Sequence, residues 1–365
     1  MQFDLPGNDI FEITVIARGT GESIVAHRPG GRWLVVDSFH DPHAKKAAPL
    51  AYLEKIGVKD LTAIEAVVLT HLHSDHYRSI DKLYHHCGTK TWLTLPGGPI
   101  KFDKRFESAL TAISTSKQYS SDENRNGLKA VATAYSEAAD FNRNSVAHGP
   151  SAGIGVHRDV WAIAPRSQCV ISTNDYPMDG VLAMSGRDAN LSSIVLMIQA
   201  NGATALLGGD MECDTKCGWQ AVINDQASNK DFNTINFLKM PHHCGSNQPF
   251  VSLLADRGIG SNLTTVVTPR NVRADAENPH PRTIDALAAL GGDIYSTSPL
   301  NINSRPRTTR SRNPRSTTGL VRSRWDGSAW DVATCYRPFP GDDLLFAKDR
   351  HSYQSTAHDA ASDQS

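Results

Sequence analysis

Residues 64–76 read IEAVVLTHLHSDH, an apolar run that leads directly into four side chains able to bind a metal. These four are His71, His73, Asp75 and His76. The apolar run predicts a buried strand, and a strand that ends in a loop can direct His71 and His73 at one ion. Asp75 and His76, one short turn later, would face a second position beside it. The stretch predicts a site for a pair of metals, with a histidine-rich surface loop as the simpler alternative.

Two later stretches have the same character, a short apolar strand that ends in polar residues. Residues 204–210 read TALLGGD, and residues 238–246 read LKMPHHCGS. With the first stretch, they resemble the metallo-β-lactamase superfamily and its His-x-His-x-Asp-His motif. Residues 238–246 are similar to the ComEC-type branch, the metallo-β-lactamase module of the bacterial DNA-uptake protein, and residues 190–196 and 278–281 fit the same branch. The resemblance extends over about residues 9–334 in the right order.

The resemblance implies a ligand set for two ions. His71 and His73 would bind the first ion. Asp75, His76 and His243 would bind the second ion, and Asp210 would be shared by both. We expect Zn²⁺, and Mn²⁺ is an alternative because histidine and aspartate ligands suit both. Many superfamily members carry a third histidine for the first ion between the two aspartate motifs. His148 and His157 lie in that interval outside any motif, so either could bind, or neither, which would leave the site partly mononuclear.

Further residues are candidates for catalysis or for holding ligands in place. Asp75 is expected to orient the metal-activated hydroxide. His242, beside a proposed ligand, and His280, in an Asn-Pro-His-Pro loop, are candidate oxyanion partners or proton donors to the leaving group. The alternative for His280 is that it caps the helix that follows. The resemblance also implies that Asp37, at the end of an apolar strand, holds the ligand histidines in position, unless it only terminates the strand.

The resemblance and a doubled pattern of strands predict an α/β fold, a four-layer αββα sandwich with the metal cleft at one rim. A length of 365 residues and a hydrophobic content of 39% permit one large domain, which we assign to residues 1–337. Residues 100–147 form a polar insertion near the cleft, with two helices separated by residues 120–127. A proline start and a glycine stop predict a helix over residues 281–290. Residues 338–365 are expected to be a disordered tail.

Charge is distributed unevenly, although a net charge of −1 gives no global attraction to nucleic acid or membrane. Residues 294–325 contain no acid but seven arginines: Arg305, Arg307, Arg310, Arg312, Arg315, Arg322 and Arg324. This Arg-rich segment, residues 301–324, would neutralise phosphates and make binding depend strongly on salt, or would be a solvated flexible loop. Lys239 offers a further positive charge, unless it is an ordinary lysine at a strand end.

The cysteines and the start of the chain bear on its compartment. Six cysteines are scattered without the spacing of a disulfide framework, which predicts free thiols. No apolar run reaches the roughly 18 residues that span a membrane, and the start lacks the basic-then-apolar order of a signal peptide. These features predict a cytoplasmic protein that does not associate with membranes.

The motifs together predict a metal-dependent hydrolase. The ComEC-type resemblance implies a phosphodiesterase or nuclease that acts on DNA or RNA, with DNA favoured, through a metal-activated hydroxide. A hydrolase of a small ester, lactone, thioester or cyclic nucleotide would use the same metals. Two further alternatives stay open, a catalytic effector that is silent until a regulatory protein partner activates it, and a non-catalytic binding module with a vestigial site. The oligomeric state is left open.

Overall fold

The computed structural model describes two sheets and the helices that cover them. The described residues are 3–87, 92–94, 121–141, 154–157, 159–164, 190–191, 193–270, 279–298 and 318–336. Their strands are β1 (Phe11–Arg18), β2 (Gly21–Arg28), β3 (Arg32–Val36), β4 (His40–Asp41), β5 (Lys46–Ala47), β6 (Ile64–Val68), β7 (Trp92–Thr94), β8 (Ile154–His157), β9 (Val160–Ala164), β10 (Val195–Ala200), β11 (Ala203–Leu207), β12 (Phe237–Lys239), β13 (Thr264–Val267), β14 (Asp293–Ser296), β15 (Gly319–Trp325) and β16 (Trp330–Tyr336). Their α-helices are α1 (Ala48–Lys55), α2 (Ser74–Tyr77), α3 (Ile80–Cys87), α4 (Asp122–Phe141), α5 (Trp219–Asp225), α6 (Gln248–Ala255) and α7 (Pro281–Ala289).

Two seven-stranded sheets form the framework. The strand order is β16-β15-β1-β2-β3-β6-β7 in the first sheet and β14-β13-β12-β11-β10-β9-β8 in the second, while β4 and β5 pair separately. Each sheet has a parallel part, made by β3, β6 and β7 in the first and by β11 to β14 in the second. Parallel strands all end at one edge of their sheet. The polar residues that follow β11 and β12 therefore lie side by side, and those that follow β6 lie at the edge of the facing sheet.

Three apolar cores separate the four layers. The central core lies between the two sheets and includes Val15, Val68, Leu207 and Val266. A second core lies between the first sheet and helices α1, α3 and α4, and a third lies between the second sheet and helices α5, α6 and α7. Because each sheet is covered on both faces, β6 and β11 are apolar along nearly their whole length. This arrangement confirms the predicted α/β fold with αββα layers.

The insertion at residues 100–147 contains α4, but this helix begins earlier than the sequence predicts. Residues 120–127 were expected to separate two helices, whereas α4 starts at Asp122. Asp122 and Glu123 favour a helix N-terminus because of the helix dipole. Gly127 then allows close packing, since a Cβ atom there would lie 2.4 Å from the carbonyl oxygen of Tyr77. The remainder of the insertion and the proposed tail lie outside the described residues.

Other local predictions have mixed outcomes. The helix expected over residues 281–290 is α7, with a proline in its first turn. The prediction that all cysteines are free is wrong, because Cys217 is disulfide-bonded. Cys213, Cys244 and Cys335 are free. In the described part of the chain, no helix is long and apolar enough to cross a membrane.

Two arginines at the end of the Arg-rich segment are not available to a nucleic acid. Arg322, which is fully buried, and Arg324 lie on β15, and the Nε atom of each donates to Glu12 Oε2 at 2.7 Å. Tyr52 donates to the other oxygen of the same carboxylate at 2.7 Å. The expectation of seven uncompensated arginines is therefore wrong for these two, because the compensating acid lies on β1, far away in sequence. Burial raises the pKa of Glu12, although its hydrogen bonds to Tyr52 and Arg324 oppose that effect.

We predict that Glu12→Gln lowers the free energy of unfolding by about 3 kcal/mol, since removing one partner of a buried ion pair leaves the other charge uncompensated. Urea denaturation of the two proteins measures the difference. The matched control is Glu54→Gln, which removes an exposed ion pair with Lys46 and should change stability by less than about 1 kcal/mol. Equal effects of the two substitutions would contradict a structural role for the buried network.

Candidate metal centre

The first half of the candidate centre follows β6. His71 and His73 lie in the loop after this strand, and α2 begins at Ser74 and carries Asp75 and His76. His71 and His76 are fully buried, whereas His73 and Asp75 are half-buried. The single turn of helix is closed by the N–H of His76, which donates to the carbonyl of His73 at 2.9 Å. Strand and helix together direct these side chains to one rim of the sandwich.

Asp210 reaches the same rim from β11. Its N–H donates to Ser193 Oγ at 3.3 Å. The preceding Gly209 has a φ of 53°, and a Cβ atom there would lie 3.1 Å from the carbonyl oxygen of Ile194. The N–H of Ile194 in turn donates to the carbonyl of Thr70, next to His71, at 2.9 Å. A glycine before Asp210 thus allows the second sheet to approach the metal-binding loop of the first.

His243 is held by an unusual turn after β12. His242, His243 and Cys244 all adopt left-handed backbone conformations, with φ values of 46°, 52° and 60°. Such conformations cost about 1 kcal/mol or more for each residue that is not glycine, and they concentrate at functional sites. Hydrogen bonds from the N–H of His242 to Gly209 O and from the N–H of His280 to Cys244 O hold the turn. The strained turn places His243 beside Asp210.

Three imidazoles converge on one carboxylate oxygen. Asp210 Oδ2 lies 3.5 Å from His76 Nε2, 3.6 Å from His243 Nε2 and 3.9 Å from His71 Nε2. His73 joins them through a contact of 2.9 Å between its Nδ1 and His71 Nε2. Two sets of ligand-type atoms each lie within 4.8 Å of one another: His71, His76 and Asp210 in the first, and Asp75, His76 and His243 in the second. All six implied ligands thus fall into one connected cluster.

Buried atoms without partners show that this cluster fits a cation. His76 Nε2, His243 Nε2 and Asp210 Oδ1 are buried, and none has a hydrogen-bond partner among the described residues. A buried polar atom without a partner is costly, and native proteins contain few of them. Imidazole nitrogens and carboxylate oxygens are the ligands that Zn²⁺ accepts. A bound cation would satisfy all three atoms at once.

Two of the imidazole rings, those of His76 and His243, are held by hydrogen bonds on the side that faces away from Asp210. His76 Nδ1 donates to Asp37 Oδ2 at 2.8 Å, and His243 Nδ1 donates to the carbonyl of Thr268 at 3.0 Å. Asp37 is itself held by Thr70, whose N–H and hydroxyl each donate to it at 2.7 Å. With Nδ1 engaged in this way, the Nε2 lone pair of each ring points to the centre, which is the usual arrangement around a bound metal.

Protonation states in the cluster suit metal binding at all but one of these residues. Burial opposes protonation of His76, yet Asp210 and Asp37 raise the pKa of that ring well above its usual value, so a cation that binds there must displace a proton. Burial lowers the pKa of His71 well below its usual value, with the neighbouring His76 adding to the effect, and burial lowers the pKa of His243 as well. Burial opposes ionisation of Asp210, yet His76 and His243 hold the pKa of that carboxyl well below its usual range. Neutral imidazoles and an ionised carboxylate are the forms that bind metals.

Other predicted residues lie around the centre or away from it. His242 is 23% exposed at the rim, and its Nδ1 lies 3.5 Å from Glu212 Oε1, which also accepts from Asn190 at 2.7 Å. His280 occupies the N-cap position of α7, but its side chain makes no capping hydrogen bond. Glu212 is not predicted from the sequence, although its position two residues after Asp210 is an available signal.

The prediction that Lys239 offers its positive charge to a nucleic acid is wrong. Lys239 is fully buried and forms an ion pair of 2.5 Å with Glu22, so it cannot contact a nucleic acid. The sequence does not reveal this because Glu22 lies on a strand of the other sheet.

Some predicted residues lie outside the described part of the chain. They are His148, the side chain of His157 at the end of β8, and Arg305, Arg307, Arg310, Arg312 and Arg315.

Comparisons with known proteins identify one family and two similar solved structures. The family model of the Metallo-beta-lactamase superfamily matches residues 18–255. No curated protein matches the chain significantly. Among solved structures, the metallo-beta-lactamase fold protein YhfI from Bacillus subtilis is similar, with 12% identity, a TM-score of 0.40, and coverage of 79% of this chain and 96% of that one. The hydrolase AbOPH in the beta lactamase superfamily is similar with 12% identity, a TM-score of 0.31, and coverage of 88% and 80% respectively.

We predict that Asp37→Asn weakens zinc binding about 10- to 100-fold, because the amide cannot accept from both His76 and Thr70 as the carboxylate does. Competition with a chromophoric chelator on metal-free protein gives the affinity. Asp60→Asn, at an exposed turn that Asp60 caps through Thr62, is the matched control and should bind zinc like the parent protein. Unchanged zinc affinity in Asp37→Asn would show that His76 is not held for a metal.

Proposed function

The chain belongs to the metallo-β-lactamase superfamily of hydrolases, and on that premise we propose that it is a metal-dependent phosphodiesterase or nuclease of the ComEC type. The observation that carries metal dependence is that His76 and His243 converge on Asp210, while His76 Nε2, His243 Nε2 and Asp210 Oδ1 are buried without a hydrogen-bond partner among the described residues. A vestigial binding module would have no need to retain such costly atoms. DNA or RNA is the proposed substrate, with DNA favoured.

The residues at the centre have separate proposed roles. The proposed ligands are His71, His73, Asp75, His76, Asp210 and His243. Bound Zn²⁺ or Mn²⁺ supplies Lewis acidity and makes water a stronger nucleophile at neutral pH. Asp75, half-buried at the start of α2, would orient the attacking water. His242, partly exposed and held by Glu212, would donate a hydrogen bond to a phosphoryl oxygen or to the leaving group.

The attachment points of the Arg-rich segment support a polymeric, anionic substrate. Its first described neighbour is β14, which runs parallel to β13 and ends at the metal-bearing edge, where the N–H of Thr297 donates to the carbonyl of Val267 at 3.1 Å. Beyond the last of the five arginines, Thr318 donates to Asp41, and Gly319 packs directly on Thr297. The described residues on both sides of residues 299–317 therefore lie at the rim that carries the centre. The five arginines between residues 305 and 315 would contact phosphates there.

A small substrate is the second candidate, and the position of α4 favours it. Arg78, directly after α2, donates to Asn124 at 2.9 Å, and the N–H of Ser79 donates to the carbonyl of Glu123 at 3.4 Å. The insertion is thereby anchored beside the helix that carries Asp75 and His76. An insertion in that position would narrow the cleft toward a small ester, lactone or cyclic nucleotide.

We predict that the purified chain, loaded with Zn²⁺ or Mn²⁺, cleaves at least one of end-labelled single-stranded DNA, duplex DNA and RNA. Asp210→Ala should reduce cleavage at least 1,000-fold because it removes the carboxylate shared by the histidines. Asp60→Asn serves as the active control. If the metal-loaded chain cleaves none of the three polymers but hydrolyses a small phosphodiester or lactone, the second candidate replaces the first. If it hydrolyses neither kind of substrate, the alternatives that remain are an effector that requires a partner protein and a binding module with a vestigial site.

We predict that replacing Arg305, Arg307, Arg310, Arg312 and Arg315 together by glutamine weakens binding of single-stranded DNA and flattens its salt dependence, since each lost phosphate contact removes roughly 0.7 from the slope of log K against log salt. Fluorescence anisotropy over a series of salt concentrations measures both effects. The metal content should stay unchanged. Arg257→Gln, which removes contacts to Phe232 and Asn233 instead, is the control. An unchanged slope would exclude these arginines from binding.

A further inference from the structure

A buried ion pair joins the two sheets behind the candidate metal centre. Glu22 lies on β2 of the first sheet and Lys239 on β12 of the second, and they are 1% and 0% exposed. Lys239 Nζ lies 2.5 Å from Glu22 Oε1. Alternation along β12 places Lys239 on the same inner face as Phe237, which belongs to the central apolar core. The pair thus extends that core toward the rim.

Stability alone does not account for these two charges. Moving both from water into the interior carries a large desolvation penalty, and apolar side chains of similar volume often stabilise a protein equally well or better. Each group also makes a second contact. Lys239 Nζ lies 3.4 Å from the carbonyl of Gly209, and Glu22 Oε2 accepts from the hydroxyl of Thr268 at 2.6 Å.

Those second contacts lead to the proposed ligands of the second sheet. Gly209 directly precedes Asp210. Thr268 uses its carbonyl to accept from His243 Nδ1 at 3.0 Å. One ion pair therefore touches the backbone next to one ligand and the residue that orients another.

The pair is also linked to the proposed metal ligands that follow strands of the first sheet. Ser23, next to Glu22 on β2, donates to the carbonyl of Asp37 at 2.8 Å. Asp37 in turn accepts from His76 Nδ1 at 2.8 Å. Glu22 thus belongs to the strand that supports His76, while Lys239 belongs to the strand that leads to His243.

We propose that Glu22 and Lys239 are positioning residues of the metal centre. Their ion pair sets the separation of the two sheets at the rim and holds Asp210 and His243 in register with His76. The pair itself contacts neither substrate nor metal. The inference rests on the proposed function only in requiring that the centre binds a metal. A change in the pair would alter the spacing of the ligands, and metals are sensitive to such spacing.

The buried network of Glu12 provides a matched comparison. Glu12 and Arg322 lie on β1 and β15 of the same sheet, and Glu12 contacts none of the proposed ligands. A Glu→Gln substitution at position 12 or 22 removes one buried negative charge. At position 22 the amide has one acceptor oxygen, so it must give up either Lys239 or Thr268.

The test is zinc affinity, measured on metal-free protein by competition with a chromophoric chelator, together with thermal unfolding in the absence of metal. We expect Glu22→Gln to bind zinc at least tenfold more weakly than the parent protein. Glu12→Gln should unfold at a lower temperature but bind zinc within twofold of the parent. The double variant Glu22→Leu with Lys239→Met removes both charges and should regain thermal stability while its zinc affinity remains at least tenfold weaker.

Two results would overturn the inference alone. One is zinc affinity within twofold of the parent in Glu22→Gln. The other is full recovery of zinc affinity in the double variant, which would show that the single change acts only by leaving a charge unpaired. A parent protein that binds no zinc or manganese would instead overturn the proposed function, and the positioning role with it. The affinity is read without substrate, so a failure of nuclease activity does not affect the outcome.

Discussion

A carboxylate surrounded by imidazoles is the interaction on which the rest of this structure depends. Asp210 has three histidine nitrogens within 3.9 Å of one oxygen, while its other oxygen is buried without a partner among the described residues. The buried oxygen without a partner is unfavourable unless a cation completes its contacts. The surrounding fold supplies what the arrangement needs. Parallel strands end at one edge, a glycine permits close approach of the two sheets, and a left-handed turn after β12 directs His243 inward.

Buried charges outside the centre are placed at the two ends of the sandwich, with different effects. Glu12 and its two arginines tie β1 to β15 within the first sheet, away from the ligands. Glu22 and Lys239 tie one sheet to the other beside the ligands. Charges buried within a sheet reinforce strand pairing, whereas charges buried between two sheets fix the distance between those sheets. Only the second kind can determine how ligands from two sheets meet.

The arginines show how position in the fold changes what a charge can do. Arg322 and Arg324 continue the Arg-rich segment in sequence, yet they lie on β15 and are neutralised by Glu12. The described residues on either side of the preceding arginines, Thr297 and Thr318, lie at the metal-bearing rim. A single basic stretch is therefore divided between structural stabilisation and the proposed contact with phosphates. The two groups of arginines are separated at the start of β15.

By itself, the sequence determined the features that depend on neighbouring residues. The apolar run before His71 and the spacing of the histidines predicted a strand that leads into a metal site, and the proline at residue 281 predicted the start of α7, because strand burial, ligand spacing and helix starts are local properties. The sandwich and the remaining members of the cluster, Asp210 and His243, were predicted from the resemblance of these local motifs to the metallo-β-lactamase superfamily. Only the tertiary structure decided which distant charges meet. Glu22 and Lys239, or Glu12 and Arg322, carry no local signal of their pairing, and the same holds for the close approach of Gly127 in α4 to Tyr77. These contacts arise when the two sheets close on each other, and a pairing between distant residues is specified by the whole fold rather than by either segment.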